Sequence, residues 1–247
     1  MKIRLFIDVK LADNLTITLA KQQSHYLKNV LRVAENDEVY IFNNLSGEYL
    51  ARVCNVKTQS IILQIIKKNK LFYQVPDISL AFAPVKNSKT EYLCMKATEL
   101  GVRTIYPLLT ERTIVRKINY ERVKSNIIEA AEQSDRLDLP ELMQLNSLTN
   151  FLNNLKDENL ILADESGGGE EPLQLYRKQH NLIKPIILIG PEGGFSQKEQ
   201  QMIKAYQNIL PLNLGPRILR TETAIISALA IINNYYGDIN LKPKFII

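Results

Sequence analysis

A chain of 247 residues, 45% hydrophobic and 23% charged, is long enough for one large globular domain or two smaller ones, and its composition is that of a soluble protein. No apolar run nears the roughly 18 residues of a membrane span. Met1-Lys2-Ile3-Arg4 leads into a strand-like run without a secretory core, so a cytoplasmic protein with no membrane partner is expected. Cys54 and Cys94 are expected to be buried thiols of a reducing compartment. With only His25 and His180 beside them, no metal site is expected. The net charge is +5, and residues 1–70 hold 11 of the 31 Lys/Arg against 6 of the 26 Asp/Glu, so the whole excess lies there. A basic module joined to a neutral one suggests a polyanion held by the first and processed by the second; a solubilising surface is the bland alternative.

In chain order, the first 70 residues read as β-rich. Residues 2–9 and Leu15 to Leu19 are strand-like, and Lys21 to Arg32 reads as a helix with Tyr26, Leu27, Val30 and Leu31 inward. Asp37 to Phe42, Tyr49 to Val56 and Ser60 to Ile66 are further strands, the first turn lying around Asn43 to Gly47. Short strands with one helix suit a small barrel. His25, Lys28 and Arg32 stand three and four residues apart on one helix face. With Lys21 and Arg52 they form either a phosphate-gripping edge or a solvated surface. Lys67-Lys68-Asn69-Lys70, reinforced by Pro76, reads as a domain junction, giving domains 1–70 and 71–247.

Beyond the junction, strands alternate with helices, the pattern of a mostly parallel α/β sheet. Ile78 to Ala83 is a strand, and Ser88-Lys89-Thr90-Glu91 is a capping box for a helix ending at Gly101. Lys96 falls inside that helix's apolar stripe, where it either snorkels to solvent or serves a site. Val102 to Pro107 is a strand, Tyr120 to Ser134 a helix, and Leu137 to Asn146 a loop with Pro140. Leu148 to Leu155 is a short helix and Asn159 to Ala163 a buried strand. A mobile acidic loop from Ser166 to Pro172 precedes a short helix near Leu173 to Lys178.

The unusual chemistry gathers between Ile186 and Ala224. Ile186-Ile187-Leu188-Ile189 reads as a strand buried on both faces. Gly190-Pro191-Glu192-Gly193-Gly194-Phe195 then forces a sharp turn, and Ser196 with Glu199 caps a helix from about residue 197. A second apolar segment, Ile209 to Leu214, ends in Gly215-Pro216. Two strand ends with glycine turns suit a small-molecule pocket. Neither turn has the glycine spacing of the dinucleotide or phosphate-loop motifs. The last helix, Thr221 to Tyr236, is apolar nearly all round, and a homodimer is the economical reason.

These residues carry a resemblance. Ile189-Gly190-Pro191-Glu192-Gly193-Gly194-Phe195-Ser196 with Glu199, Leu214-Gly215, and Arg217-Ile218-Leu219-Arg220-Thr221-Glu222-Thr223-Ala224 resemble motifs of the bacterial ribosomal RNA small subunit methyltransferase E family, of the SPOUT class. Lys96 to Val102, Glu129 to Ser134 with Arg136 and Pro140, and His25 with Val30-Leu31-Arg32 resemble further motifs in the same order. Thr113 stands where the family often has serine, and Asp135, a negative charge near the presumed RNA path, where it often has glycine. The resemblance implies an N-terminal PUA-like β-barrel and an α/β domain with a deep trefoil knot. It also implies a homodimer that methylates N3 of a uridine in 16S rRNA, within the small ribosomal subunit, using S-adenosyl-L-methionine (SAM).

For that chemistry Arg220 is the candidate to stabilise the uracil anion. Glu222 is either a proton acceptor or a helix cap. The cofactor is expected on Leu188, Ile189, Gly190, Gly193, Gly194, Leu214, Gly215, Ile218, Leu219 and Thr223. Lys96, Arg112 and Arg136 join Lys21, His25, Lys28, Arg32 and Arg52 as RNA-binding candidates. Two other readings stay open: a non-catalytic, dimeric RNA-binding module, and a nucleotide-dependent enzyme holding phosphate at Gly193-Gly194.

Overall fold

The computed structural model describes residues 2–56, 60–86, 89–163, 168–178 and 182–241. The expected cap residue Ser88, the first two residues of the loop from Ser166, and His180 lie outside them. Contacts divide the chain into two units, Met1–Gln74 with Ala131–Leu139, and Val75–Ala130 with Pro140–Ile247. The first unit thus runs a few residues past the expected junction and takes in a later segment as well.

In the first unit a five-stranded sheet has the order β1 (Arg4–Phe6), β3 (Glu38–Asn43), β4 (Gly47–Asn55), β5 (Ile62–Lys70), β2 (Thr16–Thr18). β1 is parallel to β3 and the other pairs are antiparallel. Register shifts along β4 and β5 act as bulges, which add twist and bend the strands. Among the described residues the ladder stays open between β1 and β2. Alternation puts Val39, Ile41, Ala51 and Val53 in the core and turns Arg52 and Cys54 outward. The expectation of two buried thiols is therefore corrected for Cys54, which is exposed. Cys94 is buried, and burial pushes its thiol up to about 12.

Two further expectations change here. The segment from Lys21 is α-helical only to His25 (α1, Lys21–His25); Tyr26 to Val30 forms a wider π-type turn, closed by Leu31 N–H donating to Tyr26 O. The wider turn rotates the face, so Leu27 is buried while Tyr26 is exposed and Val30 is 60% exposed. The basic run Lys67 to Lys70 is not a linker but the end of β5. Asn69 donates to Glu48 at 2.6 Å, Lys70 pairs with Asp135, and Lys68 lies over the Tyr49 ring.

A buried ionic network ties Ala131–Leu139 into this unit. The Arg4 guanidinium donates to the fully buried Glu48 (2.7 Å) and to the carbonyls of Ala131 (2.8 Å), Glu132 (3.0 Å) and Arg136 (2.9 Å). It thereby satisfies two of the last carbonyls of α3 (Tyr120–Gln133), which no intrahelical donor reaches, and one beyond its end. Asp135 follows with φ +61°, the left-handed conformation that favours glycine. Its carboxylate meets Lys70, Arg4 and Lys2, so the charge is neutralised inside the unit rather than offered to a nucleic acid.

The second unit is built on a seven-stranded parallel sheet, ordered β12 (Ile209–Leu212), β10 (Leu160–Ala163), β11 (Ile186–Ile189), β6 (Ser79–Phe82), β7 (Thr104–Leu109), β8 (Glu141–Leu142), with β9 (Asn146–Ser147) also on β7. β11 is central, which explains why all four of its residues are apolar and buried. β8 and β9 lie in the segment expected to be loop; two-residue strands are too short to show a period. The helices are α2 (Lys89–Glu99), most of α3, α4 (Leu148–Asn154), α5 (Pro172–Lys178), α6 (Gln197–Lys204) and α7 (Thr221–Tyr236). Lys89 pairs with Glu222 at the starts of α2 and α7, and Asn233 donates to Leu100 O near their ends. The two helices therefore run parallel and in step. Among the described residues no helix is long and apolar enough to cross a membrane.

Candidate functional site

The C-terminal ends of β10, β11 and β12 open on one cavity of about 670 Å³. Parallel sheets place ligands at this edge because the loops leaving it are free to differ from the strands. After β11 the walls are Ile189, Gly190, Pro191, Glu192, Gly194 and Phe195; after β12 they are Leu214 to Leu219. The first loop is a tight turn, Gly194 N–H donating to Pro191 O at 2.8 Å. It enters α6 through the expected capping box: Ser196 Oγ accepts from Glu199 N–H (3.2 Å) and the Glu199 carboxylate accepts from Ser196 N–H (2.8 Å).

Glycine is needed at two of these positions. A Cβ on Gly190 would lie 2.9 Å from the Phe195 ring, so its absence lets the ring fold over the strand end. Gly215 has φ +101°, with its N–H donating to Asn213 Oδ1 at 2.7 Å, and a Cβ there would find nothing within 4 Å. Its constraint is backbone conformation beside open space.

Of the residues singled out for a cofactor, Ile189, Gly190, Gly194, Leu214, Gly215, Ile218 and Leu219 line the cavity. Leu188, Gly193 and Thr223 do not. Leu188 is buried in the core beneath, Gly193 faces Arg112, and Thr223 is exposed on α7. The sequence reading missed a third wall, Leu162, Ala163 and Gly168, though an apolar strand followed by glycines is the same signal that marked the other two. It also missed Ile203 on α6, Thr221 and Ala224 on α7, and Arg217.

Arg220 is the N-cap residue of α7 and is exposed; its neighbours Leu219 and Thr221 both line the cavity. Glu222 makes no bond to Arg220 but pairs with Lys89 at 2.9 Å. The Lys89 hydrogen bond holds its carboxyl below the usual 4.5, which weakens it as a proton acceptor. Its Oε2 is buried without a hydrogen-bond partner.

The basic candidates separate by environment. Lys21, His25, Lys28, Arg32 and Arg52 are all exposed in the first unit. Arg32, however, has φ +55° beyond the π-type turn, so it does not share a helix face with His25 and Lys28. His25 Nδ1 bonds Asn29 (2.7 Å), and Arg52 lies 3.9 Å from Glu38. In the second unit Lys96 reaches out to Glu99 at 2.8 Å, the snorkelling arrangement. Arg112 donates to Gly193 O. Arg136 is corrected outright: it is buried and grips Asp138 through two nitrogens (2.8 and 3.2 Å), leaving it unfit to meet a phosphate. Thr113 is buried, and its hydroxyl accepts from Thr110 N–H (2.9 Å) and bonds Thr110 Oγ1 (2.8 Å). Threonine thus keeps the one group that serine would supply.

Comparison with known proteins follows both units. Residues 73–233 match the RNA methyltransferase domain family, and residues 19–66 match the RNA methyltransferase PUA domain. Ribosomal RNA small subunit methyltransferase E of Rickettsia conorii is 34% identical over 92% of this chain and 93% of its own. A Legionella pneumophila protein solved in complex with the bound cofactor SAM superposes with a TM-score of 0.87 at 32% identity, covering 97% of this chain and 100% of that one. The ribosomal RNA small subunit methyltransferase E of Neisseria gonorrhoeae, solved bound to S-adenosyl methionine, gives 0.86 at 26% identity, with the same coverage. Similarity that runs through both units at these identities fixes the kinship: the chain belongs to the ribosomal RNA small subunit methyltransferase E family.

Proposed function

We propose that this protein is a SAM-dependent methyltransferase acting on N3 of a uridine in 16S rRNA. The cavity at the ends of β10, β11 and β12 carries the reading. It fits the cofactor on three counts. Leu162, Ile203, Ile209 and Leu219 offer apolar walls to a flat adenine; main-chain groups around Gly215 are unshielded by side chains; and the volume is within the range of small-molecule sites. Bound SAM supplies a methyl group already activated on a sulfonium. The chain's own task is then to orient the base and to stabilise the charge that spreads over O2, N3 and O4 once N3 loses its proton. The exposure of Arg220 between two cavity-lining residues, Leu219 and Thr221, supports that role for it.

The nucleotide-dependent alternative loses support at Gly193-Gly194. The Gly194 N–H, a donor that a phosphate would need, is already given to Pro191 O, and the first turn of α6 is capped by Ser196 and the Glu199 carboxylate, which repels a phosphate. The exposed basic side chains of the first unit support RNA binding there. Ile226, Ala230 and Ile231 remain partly exposed on α7, which supports a homodimer built on that helix. The trefoil knot, a cytoplasmic location and action within the small subunit complete the proposal. Mass mapping of 16S rRNA from cells with and without the gene is expected to show one methyluridine lost; an unchanged pattern would remove the reading.

Gly215 tests the cofactor floor. Gly215→Val forces a β-branched residue to φ +101° and is expected to weaken SAM affinity at least tenfold, about 1.4 kcal/mol, with RNA binding retained. Unchanged calorimetric affinity in a folded variant would count against the site.

A further inference from the structure

Arg112 follows β7, which is separated from β11 by β6, yet its loop is tied to the loop after β11 at several points. The anchor is rigid: Thr110 and Thr113 are buried and joined through their hydroxyls. From it, Glu111 N–H donates to Glu199 Oε1 at 2.7 Å, while the other oxygen of that carboxylate accepts from Ser196 N–H. Arg112 Nη1 donates to Gly193 O at 2.6 Å. Its stem covers the same residue, since a Cβ built on Gly193 would stand 3.5 Å from Arg112 Cδ and 3.7 Å from Arg112 Cβ. Gly193 itself does not line the cavity, but Gly190, Pro191, Glu192, Gly194 and Phe195 around it do.

We infer that Arg112 is a positioning residue for the cofactor loop rather than a contact to RNA phosphate. Its guanidinium fixes the Gly193 carbonyl from outside the cavity, and the flanking residues are thereby presented to the ligand in one arrangement. A loop pinned at its middle carbonyl loses less conformational freedom on binding, and that saving appears as affinity. The inference rests on the cavity being the SAM site.

The test is Arg112→Met, which keeps most of the stem and removes the donor. Calorimetry with S-adenosylhomocysteine is expected to show about tenfold weaker binding than the unmutated protein, roughly 1.4 kcal/mol. RNA binding over a salt series is expected to keep its slope, because no phosphate contact is lost. In the protein without any ligand, the Gly194 amide is expected to exchange faster as the turn to Pro191 O opens more often. Arg112→Lys, with a charged donor, is expected to recover part of the affinity. Unchanged cofactor affinity and unchanged amide exchange would overturn the proposal, as would a salt slope reduced by about one unit with cofactor affinity intact. If the unmutated protein itself fails to bind the cofactor, it is the assignment of the cavity that falls.

Discussion

Arg220→Ala is expected to lower the single-turnover rate of methyl transfer a hundred- to thousandfold, while cofactor affinity stays near that of the unmutated protein. The loss corresponds to about 3–4 kcal/mol for removal of one charge-stabilising donor from a site where charge develops. Two observations motivate the split. Arg220 sits between Leu219 and Thr221, which both face the cavity, but does not itself line it. Its obvious structural partner, Glu222, bonds Lys89 and feels the Arg220 charge only as a lesser influence, and Arg220 forms no ion pair within 4 Å among the described residues. A purely structural arginine would lower the melting temperature; this one is expected to leave it nearly unchanged. Arg220→Lys is expected to rescue only in part, because a point charge does not replace a planar two-pronged donor. A rate within about threefold of the unmutated enzyme, too small for a transition-state donor, would dismiss Arg220. Arg217, which does line the cavity, would then be the arginine to replace next.

In the first unit the largest loss of stability is expected from Arg4→Ala. It strands a fully buried carboxylate and leaves the carbonyls of Ala131, Glu132 and Arg136 without their donor. Breaking a buried ion pair from one side costs about 3–5 kcal/mol, a fall of roughly 6–20 °C in melting temperature for a chain of this size. A much smaller shift would mean that water or Lys2 replaces the guanidinium without penalty. The same network sets a pH dependence. Burial alone pushes Glu48 up, but hydrogen bonds from Lys2, Arg4 and Asn69, with the Arg4 charge, outweigh it and hold the carboxyl below 4.5. A carboxyl lowered in the folded state stabilises fully above its unfolded value and progressively less as pH falls through the folded one. Glu48→Gln is therefore expected to be much less stable than the unmutated protein at neutral pH, with the gap narrowing in acid. A gap independent of pH would contradict the assignment.

What the sequence reveals is local. Ile186 to Ile189 announces a doubly covered strand because a short, mostly β-branched apolar run ended by a glycine turn suits the middle of a parallel sheet, and Ser196 with Glu199 announces its helix because a cap needs only its own turn. The glycine turns at Gly190 and Gly215 mark the cavity for the same reason. The Arg4–Glu48 pair spans 44 residues and the Arg4–Ala131 bond 127, and no periodicity reports such partners. Arginines are legible as charge and not as role: Arg136 and Arg112 look alike in the sequence, while one is buried on Asp138 and the other grips a backbone carbonyl. Asp138, two residues from Arg136, was the available signal. At Asp135 the family's frequent glycine and this chain's aspartate satisfy one demand, a left-handed backbone, which Asp tolerates better than most side chains.

The return of Ala131–Leu139 to the first unit also has a meaning for how the chain is made. Lys70 and its partner Asp135 are 65 residues apart. A ribosome adding about 5–20 residues per second needs roughly 3–13 s to bridge that gap. Throughout this interval the sheet of β1 to β5 has been synthesised, but the acid that meets Lys70 and the carbonyls that meet Arg4 do not yet exist. The nascent sheet must wait with the Arg4 guanidinium only partly engaged, and translation of Ala131–Leu139, not of β5, is the event that completes it.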